Sequence, residues 1–172
     1  MPYDPQRHDR RSLRLRYHDY ARGGAYFVTL CTHRRRALFG AVVDGVMNPN
    51  GCGLIVRAEW ERSEAVRVEV ELGEFIVMPD HFHALVLIDD VGGRGSDGRF
   101  RSMAASLGSL IAGFKLAVTV RLNRLRGTPG EPVWQRNYYE HVVRGEADYR
   151  RIEDYIRDNP ARWRGRRYGA HS

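Results

Sequence analysis

The chain has 172 residues, of which 28 are basic and 21 acidic, giving a formal net charge of +7 and a pI near 9.8. This length favours a single domain with one sizeable core. No apolar run approaches the roughly 18 to 20 residues needed to span a bilayer, and the N-terminus lacks the apolar centre of a secretory signal. We therefore expect a cytoplasmic protein without a membrane partner, in which Cys31 and Cys52 are free thiols.

The basic charge comes almost wholly from arginine, because Lys115 is the only lysine. A planar guanidinium matches phosphate oxygens with two parallel hydrogen bonds, so an arginine excess favours a polyanionic partner. Nucleic acid is the first candidate, and a DNA-bound protein would be associated with the nucleoid. A GC-rich genome can produce the same composition, and this alternative stays open.

Residues 1–23 form a predicted basic N-terminal arm, in which Arg14 and Arg16 belong to a set of arginines interleaved with tyrosines. Such a segment suits phosphate contacts and base stacking, although a solvated tail is an equal alternative. We predict one domain over residues 24–165 and a short tail over residues 166–172.

The domain begins with residues rich in β-formers, which predict a first strand over 25–32. A turn-rich connection is predicted over 44–53, and the apolar spacing that follows predicts an amphipathic helix over 54–63. Residues 75–78 and 81–88 then predict two strands of an antiparallel hairpin.

The glycine-rich segment 89–101 predicts a mobile loop, after which Ser102 is a plausible N-cap for a long helix ending near Leu125. Residues 138–144 predict a fourth strand, and residues 146–159 predict a last helix, ended by Pro160. The order β-α-β-β-α-β with an added C-terminal helix is that of an α+β ferredoxin-like fold, a four-stranded antiparallel sheet with helices on one face.

Two histidines, His81 and His83, open the predicted third strand two residues apart. Alternate strand residues point to the same face, so both imidazoles lie side by side and could chelate a divalent ion. Histidines in strands are as often ordinary residues satisfied by hydrogen bonds, and the pair alone does not decide between these interpretations.

On the last predicted helix, Tyr155 and Asn159 are four residues apart and therefore share one face. Two histidines, an amide oxygen and open positions suit Mg²⁺ or Mn²⁺ better than a closed zinc site. A tyrosine beside a metal-bound phosphate can attack phosphorus and form a covalent phosphotyrosine. On spacing alone, Tyr155 is more often a core residue and Asn159 an ordinary helix C-terminal residue.

Four segments carry a further signal: MPDHFHALVLI at 78–88, Phe114-Lys115, WQRNYYEHVVR at 134–144 and DYRRIEDYIRDNPARW at 148–163. Together they resemble the REP-associated tyrosine transposases, single-tyrosine members of the HUH endonuclease superfamily, over about residues 15 to 165.

The resemblance implies a catalytic Tyr155 and a metal site made by His81, His83 and Asn159, occupied by Mg²⁺ or Mn²⁺. It implies cleavage of single-stranded DNA beside hairpins formed by repetitive extragenic palindromes, through a 5′-phosphotyrosine and a free 3′-hydroxyl. Members of this group are thought to act as monomers, whereas related insertion-sequence transposases exchange tyrosine helices in dimers, so a monomer is favoured and a dimer stays possible. Candidate DNA-contacting residues are Arg14, Arg16, Lys115, Arg121 and Arg136.

Two alternatives remain at this stage. Tyr138 and Tyr139 are rival nucleophiles, but they lie in a predicted strand, where only one can face the histidines. A non-catalytic ferredoxin-like module that binds single-stranded DNA or RNA would share the topology, yet it would not need His81, His83 and Asn159 together.

Overall fold

The computed structural model describes residues 23–89 and 107–164. The predicted arm with Arg14 and Arg16, most of the predicted 89–101 loop, Ser102 and the 166–172 tail lie outside these residues. None of the helices in the described part of the chain is long and apolar enough to cross a membrane.

A four-stranded antiparallel sheet forms the centre of the molecule. Its strands are β1 (Gly23–Cys31), β4 (Val70–Met78), β5 (His81–Asp89) and β6 (Tyr139–Val142), and the helices are α1 (Gly51–Val66), α2 (Leu107–Arg126) and α3 (Glu146–Arg162). The spatial order of the strands is β4-β5-β1-β6. The predicted ferredoxin-like α+β fold is therefore confirmed, including the β4–β5 hairpin.

The predicted turn-rich connection over 44–53 is wrong beyond the turn at Asp44-Gly45. Residues 46–49 form β3 (Val46–Pro49), which pairs with β2 (Gly40–Val43) in a second, two-stranded sheet, and helix α1 already begins at Gly51. Asp44 and Gly45 connect these strands with φ of 51° and 74°. Positive φ at both central residues gives a two-residue turn whose twist matches that of the strands, and Asp-Gly favours it.

Several element boundaries also differ from the predicted ones, among them those of α1, β4 and α3. Helix α1 begins earlier, because the Asn50 side chain caps it by accepting the Gly53 N–H at 3.0 Å. Strand β4 begins at Val70, before an irregularity between Leu72 and Phe75 that hides its pattern. Helix α3 continues past Pro160 to Arg162.

The helices cover opposite faces of the sheet. Helices α1 and α2 pack on one face around a core that includes Trp60, Phe82 and Phe114. Helix α3 packs on the other face, where Ile152 and Ile156 contact a smaller core with Leu85 and Leu87. Side chains of β5 therefore alternate between two separate environments.

Candidate active site

His81 and His83 both lie on the α3 face of the sheet, as the spacing predicts. Both side chains are buried, and their ring centroids are 4.5 Å apart. The neighbouring strand β1 places Cys31 opposite His81 and Thr29 opposite His83. The pair thus sits on a central strand held on both sides by hydrogen-bonded neighbours.

Each imidazole has one ring nitrogen engaged by a partner within the protein. Nδ1 of His81 lies 2.6 Å from Oδ1 of Asp80, whose other oxygen pairs with Arg35 at 3.2 Å. Nδ1 of His83 lies 2.8 Å from Oγ1 of Thr29. When each Nδ1 carries the ring proton and donates it, each Nε2 keeps a lone pair, which is the usual arrangement of metal-binding histidines.

The environment of His83 favours its neutral form. Burial, followed by the nearby His81 and Arg35, lowers the pKa of His83 to about 3. A neutral imidazole is the form that binds a metal ion. The donor set of this pair therefore fits a divalent cation.

Helix α3 brings the predicted nucleophile to the histidines. The ring of Tyr155 contacts that of His83 at 5.4 Å and that of Phe27 at 6.0 Å, both edge-on. Eight residues later, Trp163 contacts His81 at 5.6 Å between centroids. Asn159, which is buried, lies midway along the helix between these two contacts. Tyr155 and Asn159 are thus both on the part of α3 that faces the histidine pair.

The N-terminus of α3 is anchored to the end of β6 by Asp148. Its carboxylate accepts the Arg144 backbone N–H at 3.0 Å and contacts Nε2 of His141 at 2.8 Å and Arg151 at 2.5 Å. These hydrogen bonds, the backbone one foremost, hold the pKa of Asp148 well below its usual range. A charged carboxylate in the first turn also matches the positive end of the helix dipole.

Within residues 23–89 and 107–164, no group of three or more His, Cys, Asp or Glu side chains is placed to hold a metal ion. Any third ligand that these residues supply to an ion at His81 and His83 is therefore of another type. The amide oxygen of Asn159 is the predicted ligand, since oxygen ligands suit Mg²⁺ and Mn²⁺.

The predicted DNA-contacting residues on α2 each have a partner within the protein, and their contact with DNA stays a prediction. Lys115 donates to the backbone carbonyls of Gln135 and Arg136 at 2.8 and 3.3 Å, and Arg121 forms an ion pair with the buried Glu59. Helix α2 covers the face of the sheet opposite the histidines. Arg136 is exposed in the segment before β6.

The rival tyrosines point to opposite faces of the sheet. Tyr138 packs against the α1/α2 core, below the Lys115 ammonium. Tyr139 contacts Phe27 on the α3 face. Of the two, Tyr139 lies on the histidine side, whereas the ring contact with His83 is made by Tyr155.

Sequence reasoning missed the residues that orient this centre: Thr29, Asp80, Phe27 and Trp163. Asp80 could have been found, because it directly precedes His81. Thr29 and Phe27 follow only from the β1–β5 pairing, and Trp163 only from the position of the C-terminal end of α3.

Known proteins give two informative matches, although no family model matches the chain. An uncharacterized protein from Haemophilus influenzae is 34% identical over 170 residues, which cover 94% of this chain and 93% of that protein. The solved structure of a REP-associated tyrosine transposase bound to a REP hairpin superposes with a TM-score of 0.52 at 21% identity, over 84% of this chain and 71% of that one. The chain therefore belongs to the same protein family as the Haemophilus influenzae protein and has the fold of the REP-associated tyrosine transposase.

Proposed function

We propose that the protein is a divalent-metal-dependent endonuclease and strand transferase for single-stranded DNA. In this proposal Tyr155 is the nucleophile and His81, His83 and Asn159 hold Mg²⁺ or Mn²⁺. The observation that carries the proposal is the contact of the Tyr155 ring with His83, at 5.4 Å between centroids, on a helix whose next turn carries Asn159.

The exposure of Tyr155 supports its assignment as the nucleophile rather than as a residue that only packs in the core. Its side chain is 41% exposed, whereas Ile152 and Ile156 on the same helix are buried in the α3 core. The isoleucines therefore fix the helix on the sheet, and the tyrosine ring is held between Phe27 and His83 while solvent can reach it. A nucleophile for a polymeric substrate requires this combination of position and access.

The chemistry is an in-line transfer of a phosphodiester to tyrosine. The phenolic oxygen of Tyr155 forms a bond to phosphorus, the bond from phosphorus to the 3′ oxygen breaks, and that oxygen takes up a proton as the phenol loses one. The bound ion would supply positive charge to the scissile phosphate. Attack by the free 3′-hydroxyl on the phosphotyrosine reverses the reaction and joins strands.

A DNA hairpin is the proposed partner, and a monomer the proposed state. The solved transposase with the same fold is bound to a REP hairpin, and the chain carries a net charge of +7, which favours a phosphate backbone. Helix α3 packs on His81 and His83 of its own chain. The proposed site therefore needs no residue from a second copy.

The test is a denaturing-gel assay for a covalent protein–DNA adduct. Labelled DNA hairpins with single-stranded flanks are incubated with the protein and Mn²⁺ or Mg²⁺, with and without EDTA. We expect an adduct that chelation abolishes. Tryptic mass spectrometry should find the nucleotide on peptide 152–157 (IEDYIR), whose only tyrosine is Tyr155, and not on peptide 137–144 (NYYEHVVR).

Hairpin binding without cleavage in either metal would contradict the enzymatic proposal and favour the binding-module alternative. An adduct on peptide 137–144 would keep the reaction class but move the nucleophile to Tyr138 or Tyr139.

A further inference from the structure

A groove between β6 and α3 adjoins Tyr155. Its volume is about 530 Å³, within the range of pockets that hold small organic ligands. The groove is lined by Phe27, Tyr139, His141, Arg151, Ile152, Asp154, Tyr155 and Arg162. None of the metal-site histidines lines it, so it is a separate feature that shares only the proposed nucleophile.

Aromatic rings form the groove wall nearest the nucleophile. Phe27 contacts Tyr139 at 6.3 Å and Tyr155 at 6.0 Å between centroids, in both cases edge to face. The Tyr139 side chain is 59% exposed although it is held in the edge strand β6. An exposed aromatic ring in a fixed position is what single-stranded nucleic-acid binders use to stack a base.

Polar side chains complete the groove. Arg151 and Arg162 on α3 carry cationic groups that are mostly exposed, and Asp154 offers an exposed carboxylate. The ring of His141 is fixed by its contact with Asp148. The groove thus combines an apolar wall with cationic and hydrogen-bonding groups, which matches a nucleotide: a flat base, a polar edge and a phosphate.

We propose that this groove binds a nucleobase of the single-stranded DNA next to the scissile phosphate, stacked on Tyr139. The inference rests on the proposed function and adds to it the place where the base next to the scissile phosphate is bound. Because Tyr155 lines the groove, a nucleotide bound there is a direct neighbour of the phosphate that Tyr155 attacks. Stacking at Tyr139 would fix this phosphate relative to the nucleophile.

The test places the fluorescent base 2-aminopurine at successive positions of the single-stranded flank of a DNA hairpin. Stacking on an aromatic ring quenches this fluorophore, so one flank position should be quenched by the wild-type protein. Tyr139→Ala should lose the quenching and weaken binding or adduct formation by about tenfold, as expected for one stacked base. Tyr139→Phe, which keeps the ring, should restore both.

The matched control is Val142→Ala, on the same edge strand. Val142 is exposed and does not line the groove, so its truncation should leave quenching and adduct formation unchanged. Equal quenching by wild type and Tyr139→Ala, or an equal loss in Val142→Ala, would overturn the inference.

The readouts separate this inference from the proposed function. If wild type forms no adduct but shows quenching that depends on Tyr139, the groove is a base site and the endonuclease proposal fails. If adducts form and Tyr139→Ala neither slows them nor changes the quenching, the endonuclease proposal stands and the groove inference fails.

Discussion

Strand β5 contributes side chains to both faces of the central sheet, and the two faces differ in chemistry. Phe82 points from β5 into the α1/α2 core, where it is fully buried against the rings of Trp60 and Phe114. His81 and His83, its neighbours on either side, point to α3 and are buried with polar partners.

A small domain can thus hold polar groups in fixed positions. The apolar face stabilises the strand by excluding water, and the strand positions the two imidazoles on its other face. Buried polar groups require partners, and here Asp80 and Thr29 fill that role at each Nδ1. Substitutions on the two faces should therefore separate stability from function.

The largest expected effect is on the α3 face, from Tyr155→Phe. This change removes only the hydroxyl and keeps the ring contacts with Phe27 and His83. We expect loss of covalent adduct to background, more than about 5 kcal/mol on the activation scale, with hairpin affinity and thermal stability unchanged. Adduct gels and hairpin titrations measure these quantities.

Tyr138→Phe is the matched control for that experiment, because Tyr138 packs on the opposite face against the α1/α2 core. It should keep wild-type adduct levels. Adduct formation by Tyr155→Phe at a rate near wild type would remove the assignment of the nucleophile.

The next largest effect is on the apolar face, from Phe82→Ala. Phe82 is fully enclosed by aromatic rings, and truncation of such a residue costs about 3 to 5 kcal/mol. Urea unfolding should show this loss, whereas Leu116→Ala, at a residue 66% exposed on α2, should change stability by less than about 0.5 kcal/mol. A small effect of Phe82→Ala would contradict the division between the faces.

Local periodicity explains what the sequence could predict on these faces. The alternation of β5 predicts that His81 and His83 share a face, and the helical spacing of α3 predicts that Tyr155 and Asn159 do. Both features depend on a few neighbouring residues. The roles of the four residues in metal binding and cleavage stay predictions.

Features that depend on pairing between distant segments escaped prediction. The partner of His83 is Thr29, 54 residues away, and only the strand register connects them. Lys115 and Arg121, the predicted DNA contacts on α2, each have a partner within the protein that sequence did not reveal, and their role in DNA binding stays a prediction. The β2–β3 hairpin was missed although Asp44-Gly45 is a strong local turn signal.

The third prediction concerns the residue that supports the proposed metal site at His83. Thr29→Val keeps the side-chain shape and removes the hydroxyl that contacts Nδ1 of His83. Loss of such a partner lowers metal affinity by about 10- to 100-fold, so the Mn²⁺ concentration for half-maximal adduct formation should rise by this factor.

Thr119→Val on α2 removes a comparable hydroxyl hydrogen bond, to the Lys115 carbonyl, and should leave the Mn²⁺ requirement unchanged. Equal shifts in both variants would mean that Thr29 does not act through His83.

The smallest effect is expected from Asp148→Asn, which weakens the anchor of α3 rather than the site itself. The hydrogen bonds from the Arg144 N–H, His141 and Arg151 favour ionised Asp148 in the folded state. Since the folded-state pKa lies below the unfolded value of about 3.9, this stabilisation is complete above that value and is lost as the pH falls through the folded-state pKa. Urea unfolding should show a deficit of about 1 kcal/mol for the variant near neutral pH, which shrinks only below about pH 4.

Asp158→Asn, at the exposed end of the same helix and paired with Arg162, should cost less than about 0.5 kcal/mol. A deficit of Asp148→Asn that is the same at all pH values would mean that the carboxylate charge does not hold α3 against the sheet.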